Sequence, residues 1–311
     1  MSTPDSMEAY DVVVVGGGPA GLSAALVLGR ARRRVAVVDA GAPRNAAAAH
    51  MQGFISRDGM PPAELLASAR AELAGYDVAL VSARVSTIDV GFAVSLGDGR
   101  TLDSRRLLIA TGAIDVLPDL PGVRERWGRD LLHCPYCHGW EVRDRPLGVL
   151  GTHPGAVQHA LLVRQWSDDL VFFSHDLDVA DSDRRALDSR GIRIVDGPVS
   201  GLVVQEDRLV GVRLVDGRTI GREAVFVRTV NRPAATDLLA GIGCDLGADG
   251  FVVVDGTGRT SIPGVWAAGN VVDPRAQVIT SAGAGSAAAI AINADLVQDD
   301  LVRAGDAITV A

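Results

Sequence analysis

Four valines in a row, Val12-Val13-Val14-Val15, follow Asp11 and begin the patterned part of the chain. A run that is apolar at every position suits a strand buried on both faces of a parallel sheet, because a half-exposed strand would alternate. Residues 22–30 change to helical spacing, and Val35-Ala36-Val37-Val38 returns to the buried-strand type and ends in Asp39. The pattern predicts a βαβ unit. Beyond it, a helix is expected over 63–74 after Pro61-Pro62, then short strands at 78–81, 85–88, 92–96 and 101–102 with Gly97-Asp98-Gly99 as a hairpin turn. A further buried strand is expected over 106–110. A second βαβ unit reads as strand 146–150, helix 157–166 and strand 170–173, followed by strands at 199–205, 209–214 and 224–227. Strand-like segments at 251–254 and 265–268 precede a long alanine-rich helix at about 281–302.

The irregular stretches carry information of their own. Pro118, Pro121 and Gly122 break the pattern and mark a boundary. Residues 40–62 form a loop of unusual length for a compact domain, read equally well as a functional loop or a surface loop. Only the tail ends look unstructured.

At 311 residues the chain is long enough for about two domains, each with its own core. A net charge of -8 argues against nucleic acid or an anionic membrane as main partner, since both call for a basic face. No apolar run reaches the roughly 20 residues of a membrane span. The acidic start lacks the positive region of a secretory signal, so a cytoplasmic protein is expected. Three cysteines are too few for a disulfide scaffold. Cys244 is expected to be a buried small residue.

Two motifs carry chemistry. Gly16-Gly17-Gly18-Pro19-Ala20-Gly21 lies between the first strand and its helix, in the setting of a dinucleotide fingerprint. There Gly16 makes the turn, Gly18 lets a pyrophosphate approach the backbone and Gly21 allows close helix packing. Asp39, eighteen residues beyond Gly21, stands where an acid binds ribose hydroxyls. The second motif is His133-Cys134-Pro135-Tyr136-Cys137-His138-Gly139-Trp140. C-x-x-C spacing beside α/β patterning reads first as a dithiol/disulfide couple, with Pro135 stiffening the turn and an imidazole on each side able to move a thiol proton. Cys134 to His138 also spells a c-type haem attachment signature, which requires export. Zinc would need a second ligand pair farther along, and inert cysteines would leave both imidazoles to be partnered in a core. Thiol-disulfide exchange remains the leading reading.

The second βαβ unit has a damaged fingerprint, Gly151-Thr152-His153-Pro154-Gly155-Ala156. His153 occupies the middle-glycine position, where a side chain blocks close approach of a pyrophosphate. Its second strand ends in Ser174-His175-Asp176, without arginines for a 2′-phosphate. Trp127, Tyr136 and Trp140 could shape an aromatic pocket or simply pack.

Taken together, these motifs resemble the low-molecular-weight thioredoxin reductase family over nearly the whole chain. The matching landmarks are Gly16 to Gly21, Ala110-Thr111-Gly112, Cys134 to Cys137, and Thr260-Ser261-Ile262-Pro263-Gly264 through Ala268-Gly269-Asn270 to Gln277-Val278. The resemblance implies an α/β fold of two Rossmann-like dinucleotide-binding domains, the second inserted into the first. The FAD domain would be discontinuous, 1–117 and 244–311, and residues 118–243 would form a pyridine-nucleotide-like insert carrying the C-x-x-C. It further implies that Gly16, Gly18, Pro19, Ala20 and Gly21 bind the FAD pyrophosphate and Asp39 its ribose. Ala110, Thr111, Gly112 and Gly269 would lie along the cofactor, with Asn270, Gln277 and Val278 beside the ribityl chain and flavin. Asn270 stands where reductases usually carry an aspartate, so a neutral amide replaces a carboxylate.

The departures from the reductases, His138, His153 and Ser174-His175-Asp176, indicate a branch. Together with Pro43, Arg44, Asn45 and His50, the Cys-Pro-Tyr-Cys-His-Gly segment resembles the FAD-dependent dithiol oxidases that close disulfides in gliotoxin-type and holomycin-type natural products. Arg44, Asn45 and His50 are accordingly expected beside the cofactor. The resemblance implies a small-molecule dithiol as substrate, dioxygen as acceptor, hydrogen peroxide as product and a homodimer. Cys134 would be attacked, Cys137 would pass electrons to FAD, and His138 or His133 would be the base. A nicotinamide-dependent disulfide reductase and a flavin redox sensor without turnover remain alternatives.

Overall fold

The computed structural model describes residues 8–89 and 91–309, with side chains from 9 to 305. The outermost tail ends, expected to be unstructured, lie outside the described residues. Among the described residues the chain divides into two compact α/β units. One comprises the residues up to Arg44, Ala63–Ile114 and those from Arg232 on; the other comprises Asn45–Pro62 and Asp115–Asn231.

In the first unit Glu8–Val15 lies between Val35–Asp39 and Thr101–Ile109, parallel to both, and Ala79–Ser82 extends the sheet beyond Val35–Asp39. The valine run divides its side chains between two cores. Val12 and Val14 pack with Leu28, Trp266, Ile292 and Leu296, whereas Val13 and Val15 pack with Leu107, Ile109, Leu239 and Val265. Both faces are therefore dry, which is why the run has no polar alternation. The helices Pro19–Arg30 and Val278–Thr309 cover the first of these cores. They cross so closely that a Cβ on Gly285 would sit 2.0 Å from the Ala20 carbonyl oxygen.

Two sequence expectations change here. Thr101–Ile109 is one strand, not two separated by Asp103-Ser104-Arg105. Its first residues pair antiparallel with Ala93–Leu96 and its last pair parallel with Val265–Ala267, so both halves have backbone partners. The polar middle is satisfied by ion pairs, with the Arg105 guanidinium 2.8 Å from Asp11 and 2.6 Å from Asp299. The strand expected at 251–254 is reduced to a single bridge between Leu246 and Val252. Just beyond it, the Asp255 carboxylate accepts the backbone N–H groups of Thr257 and Arg259, which folds the chain into a side-chain-stabilised turn.

The second unit has a wholly parallel sheet in the order Arg193–Val195, Leu170–Phe173, Leu147–Leu150, Ala224–Val227, Leu131–Leu132. A separate antiparallel sheet is formed by Val199–Gln205, Arg208–Leu214 and Thr219–Ile220. The helix Asp181–Ser189 and the strand Arg193–Val195 have no counterpart in the sequence reading. The helix's apolar residues are only Ala186 and Leu187, of which it buries Leu187 alone, so the apolar positions are too few to mark a helix.

The chain passes between the units in Ala113–Val116 and Val230–Pro233, two strands that pair with each other. The crossings thus fall at 114/115 and 231/232 instead of the expected 117/118 and 243/244. The Pro118–Gly122 cluster is a bend inside the second unit, where the Pro121 carbonyl accepts the Leu202 N–H at 2.9 Å. Residues 45–62 also group with this unit. No helix among the described residues is long and apolar enough to cross a membrane.

Candidate active site

The short strand Leu131–Leu132 runs beside Ala224–Val227 and delivers His133 and Cys134 to the carboxyl edge of the sheet, where open α/β sheets hold their ligands. Cys134 and Cys137 form a disulfide with their Cα atoms 5.2 Å apart. Cys134 is in extended geometry and caps the single helical turn Pro135–His138, and Pro135 occupies its first position, where no N–H is needed. The Cys137 N–H donates to Cys134 Sγ at 3.2 Å. The turn must be followed by glycine. A Cβ on Gly139 would lie 2.5 Å from the Pro135 carbonyl oxygen and 2.8 Å from the Trp166 ring. Trp166 meets Tyr136 edge-on at 5.6 Å.

The aromatic residues flanking the pair divide. Trp127 packs against the core that contains Val123 and Leu131. Tyr136 and Trp140 are each 64% exposed, and the Arg143 guanidinium lies over the Trp140 ring at 3.9 Å from its centroid.

His133 and His138 are both only partly exposed. His133 Nδ1 is 3.0 Å from the Val227 carbonyl oxygen and 3.4 Å from the Thr229 N–H; the shorter, carbonyl contact favours a hydrogen on Nδ1, which leaves Nε2 as the nitrogen able to take a proton. Thr229 Oγ1, 3.5 Å from the same Nδ1, donates its own hydrogen to Asp115 at 2.9 Å. Asn231 Nδ2 donates to Asp115 as well, at 2.7 Å. His138 is held below the ordinary histidine pKa by burial, with Glu141 opposing the shift. A neutral imidazole at neutral pH is a competent proton acceptor. Asp115 and Asn231, in the crossing strands, and Thr229, just before the second of them, were missed in the sequence because they lie far from any motif.

The insert's damaged glycine loop is filled by the protein's own side chains. His153 Nδ1 accepts the Gly155 N–H at 2.9 Å, taking up a donor that a phosphate would use. The Arg228 guanidinium covers Gly155, where a Cβ would lie 3.0 Å from Cζ. His175 Nδ1 accepts the Val199 N–H at 2.9 Å, and its Nε2 lies 3.0 Å from the Asp176 carboxylate. Asp176, the acid at the end of this unit's second strand, is thereby paired. Arg228 had no sequence signal, because it follows an ordinary buried strand.

In the first unit the fingerprint has the geometry of a nucleotide cradle. Gly16 has φ +113° and a Cβ there would lie 2.3 Å from the Ala110 carbonyl oxygen, while one on Gly21 would lie 1.9 Å from the Gly16 carbonyl oxygen. Gly18 is different, with nothing within 4 Å of its Cβ position. It caps the helix Pro19–Arg30 without a side-chain hydrogen bond, so the helix N-terminus is open to an anion. The Asp39 carboxylate packs on Gly17 and is fixed by Arg70 Nη2 at 2.8 Å. Thr111 Oγ1 is buried without a partner in the protein, as expected of a group that meets a cofactor. Asn270 donates both amide hydrogens, to the carbonyls of Asp273 and Ala276, each at 2.9 Å. Arg44 Nη1 holds the Pro274 carbonyl at 2.6 Å. Gly269 approaches Ala20, and the helix from Val278 starts directly after Gln277. Arg44 thus joins the cradle's unit, whereas Asn45 and His50 belong to the other unit.

A model of the pyridine nucleotide-disulphide oxidoreductase family matches residues 10–288. The chain belongs to this family. Its members of thioredoxin reductase type are FAD-binding flavoproteins, and the cradle just described fits that cofactor. The oxidoreductase sirT of Leptosphaeria maculans, a thioredoxin reductase by name, is 31% identical over 94% of this chain and 96% of its own length. A probable thioredoxin reductase of Arthroderma benhamiae is 34% identical over 53% of this chain, a match that spans 43% of that protein. The crystal structure of HlmI is similar over 100% of this chain and 99% of its own, with a TM-score of 0.94 and 55% identity.

Proposed function

We propose that the protein is an FAD-dependent dithiol oxidase that closes a disulfide in a small-molecule dithiol and passes the electrons to dioxygen. The observation that carries this reading is the pairing, within one unit, of a Cys134–Cys137 disulfide flanked by imidazoles with a nucleotide loop occupied by His153 and Arg228. A sulfur donor is provided for, and a nicotinamide donor is not.

In the first half of the reaction a substrate thiolate attacks Cys134 Sγ. The S–S bond breaks, Cys137 leaves as a thiolate, and a mixed disulfide joins substrate to Cys134. His138 or His133 then takes the proton of the second substrate thiol, which attacks the substrate sulfur of the mixed disulfide. Cys134 leaves, and the Cys137 N–H at its sulfur favours that departure. The substrate is now a disulfide, and the enzyme holds two electrons as a dithiol. Gly16 to Gly21, Asp39, Thr111, Arg44, Asn270, Gln277 and Val278 would hold FAD, which when bound would supply the two-electron redox chemistry that links this dithiol to dioxygen as acceptor, with hydrogen peroxide as product. A cytoplasmic homodimer is part of the same reading.

The name of sirT favours a second reading, reduction of a disulfide by NADH or NADPH. Steady-state oxygen consumption separates the two. A model dithiol should drive oxygen uptake and peroxide formation in stoichiometric amounts with no nicotinamide present; strict dependence on NADPH would establish the reductase instead.

A further inference from the structure

Three groups at the end of one strand face the Nδ1 atom of His133. The Val227 carbonyl oxygen, 3.0 Å away, needs a hydrogen on that nitrogen, whereas the Thr229 backbone N–H, at 3.4 Å, needs a lone pair there. The Thr229 hydroxyl, at 3.5 Å, suits either state. Which one it favours depends on where its own hydrogen goes. The two tautomers of the ring thus compete for the same surroundings, and only the one with hydrogen on Nδ1 leaves Nε2 free to accept a proton.

Asp115 gives the hydroxyl its direction. Its Oδ1 lies 2.9 Å from Thr229 Oγ1, and a carboxylate oxygen only accepts, so the hydroxyl hydrogen is committed to Asp115. Asn231 Nδ2, which only donates, stands 2.7 Å from the same carboxylate oxygen and 3.2 Å from Thr229 Oγ1. With its hydrogen on Asp115 and one lone pair facing Asn231, the hydroxyl turns its other lone pair to His133. Thr229 is only 4% exposed, so little water reaches these bonds. Two acceptors then stand against one donor at Nδ1, and the hydrogen belongs there.

The titratable neighbours of His133 include the buried His159 on the helix Ala156–Val163, with ring centroids 5.8 Å apart, together with His153 and Arg228. Asp115 is the acid tied to this group, through Thr229. His138 has no comparable arrangement: among the described residues no hydrogen bond reaches its ring.

We propose that Asp115 is a positioning residue for thiol-disulfide exchange: by fixing the direction of the Thr229 hydroxyl it holds His133 in the tautomer with hydrogen on Nδ1, so that Nε2 receives the proton of the second substrate thiol. The proposal rests on the reading of Cys134–Cys137 as the working couple and names His133 as its base. The acid behind the histidine of a serine-protease triad fixes a tautomer in the same way, there without a hydroxyl between them.

The test uses FAD-loaded protein with isotope-labelled histidine. Long-range proton–nitrogen correlation spectra distinguish a ring nitrogen that carries hydrogen from one that does not, and His133→Gln identifies the signals of this ring. Wild type should show hydrogen on Nδ1. Asp115→Leu releases the Thr229 hydroxyl to donate to Nδ1, and the hydrogen should move to Nε2. The rate at which a model dithiol reduces the Cys134–Cys137 pair, read by mass after quenching with iodoacetamide, should fall about tenfold at pH 7, the scale of one hydrogen bond. It should rejoin wild type near pH 10, where thiols of pKa about 8.5 ionise unaided and need no base. Adding Thr229→Val to Asp115→Leu removes the misdirected hydroxyl, so the double variant should regain the wild-type tautomer and most of the lost rate. Should leucine lower the thermal midpoint, Asp115→Ala takes its place under the same criteria. An unchanged tautomer in the single variant, a loss of rate equal at every pH, or a double variant as impaired as the single one overturns the proposal. Neither readout involves dioxygen; failure of the oxidase reading appears separately, as wild-type enzyme that a dithiol reduces without oxygen uptake.

Discussion

The backbone N–H of Cys137 points at the sulfur of Cys134 from 3.2 Å, so the turn that brings the two cysteines together also stabilises a thiolate on the first of them. A hydrogen bond to a charged sulfur is stronger than one to a neutral sulfur, so it favours the departure of Cys134 from the mixed disulfide with substrate. Cys134→Ser is expected to abolish dithiol turnover while FAD content, read from the visible spectrum, stays at the wild-type level. Cys137→Ser leaves Cys134 as a lone thiol, which a linear model disulfide should convert to a mixed disulfide by exchange, detectable as a covalent mass increase.

Glycines of the first fingerprint separate folding from cofactor binding. A methyl group on Gly21 would stand 1.9 Å from the Gly16 carbonyl oxygen, a backbone clash that no rotamer relieves. Gly21→Ala is expected to destabilise even the apoprotein by about 3 kcal/mol. Gly18 has open space around its Cβ position and an ordinary φ of -81°. Gly18→Val should leave the apoprotein's stability within about 1 kcal/mol of wild type and weaken FAD binding at least about tenfold, because the side chain stands where a pyrophosphate approaches. Thermal midpoints of apoprotein and FAD titrations check both.

Asn270 is suited to its loop in a way an aspartate is not. Its two amide hydrogens close the segment to Ala276, and Arg44 holds the same segment at Pro274. Asn270→Asp would turn a carboxylate toward two carbonyls, removing both bonds at a cost of about 1–3 kcal/mol each. FAD should then dissociate more readily, by tenfold or more, as followed by the fluorescence of released flavin.

Acid stability follows from the buried imidazole. His159 is lowered to about 4 in the folded protein, from the usual 6.5. The unfolded chain therefore binds the proton first as pH falls. Its contribution is fully present above pH 6.5 and is lost progressively as pH drops toward 4, amounting to about 3 kcal/mol in all. Urea unfolding measured from pH 7 to pH 4 should show this decline, and His159→Phe should flatten it.

The features most readily read from the sequence are those in which local chemistry and tertiary position agree. The valine run and the glycine fingerprint belong here, since both faces of Glu8–Val15 are buried and each glycine meets a specific backbone contact or space. The Cys134–Cys137 turn was readable for the same reason, with proline, spacing and a closing glycine in one octet. What escaped depends on partners distant in the chain. Arg105 interrupts an apolar strand but is neutralised by Asp11 and by Asp299 on the C-terminal helix, a pairing no local pattern reports. Asp181–Ser189 has only Ala186 and Leu187 as apolar residues and buries one of them, too few apolar positions to reveal a helix. Within the site, His153 was recognised as an obstruction, but the companion role of Arg228 and the Asp115–Thr229 link to His133 arise only when distant strands converge.

The central claim is that electrons enter from sulfur and not from a nicotinamide. Anaerobic samples of the purified yellow protein receive, separately, NADPH, NADH and a model dithiol, and the flavin absorbance is followed before air is admitted. The account predicts bleaching by the dithiol alone and full recovery of the oxidised spectrum in air with release of hydrogen peroxide. Prompt bleaching by NADPH or NADH, or a flavin that the dithiol leaves oxidised, would contradict it.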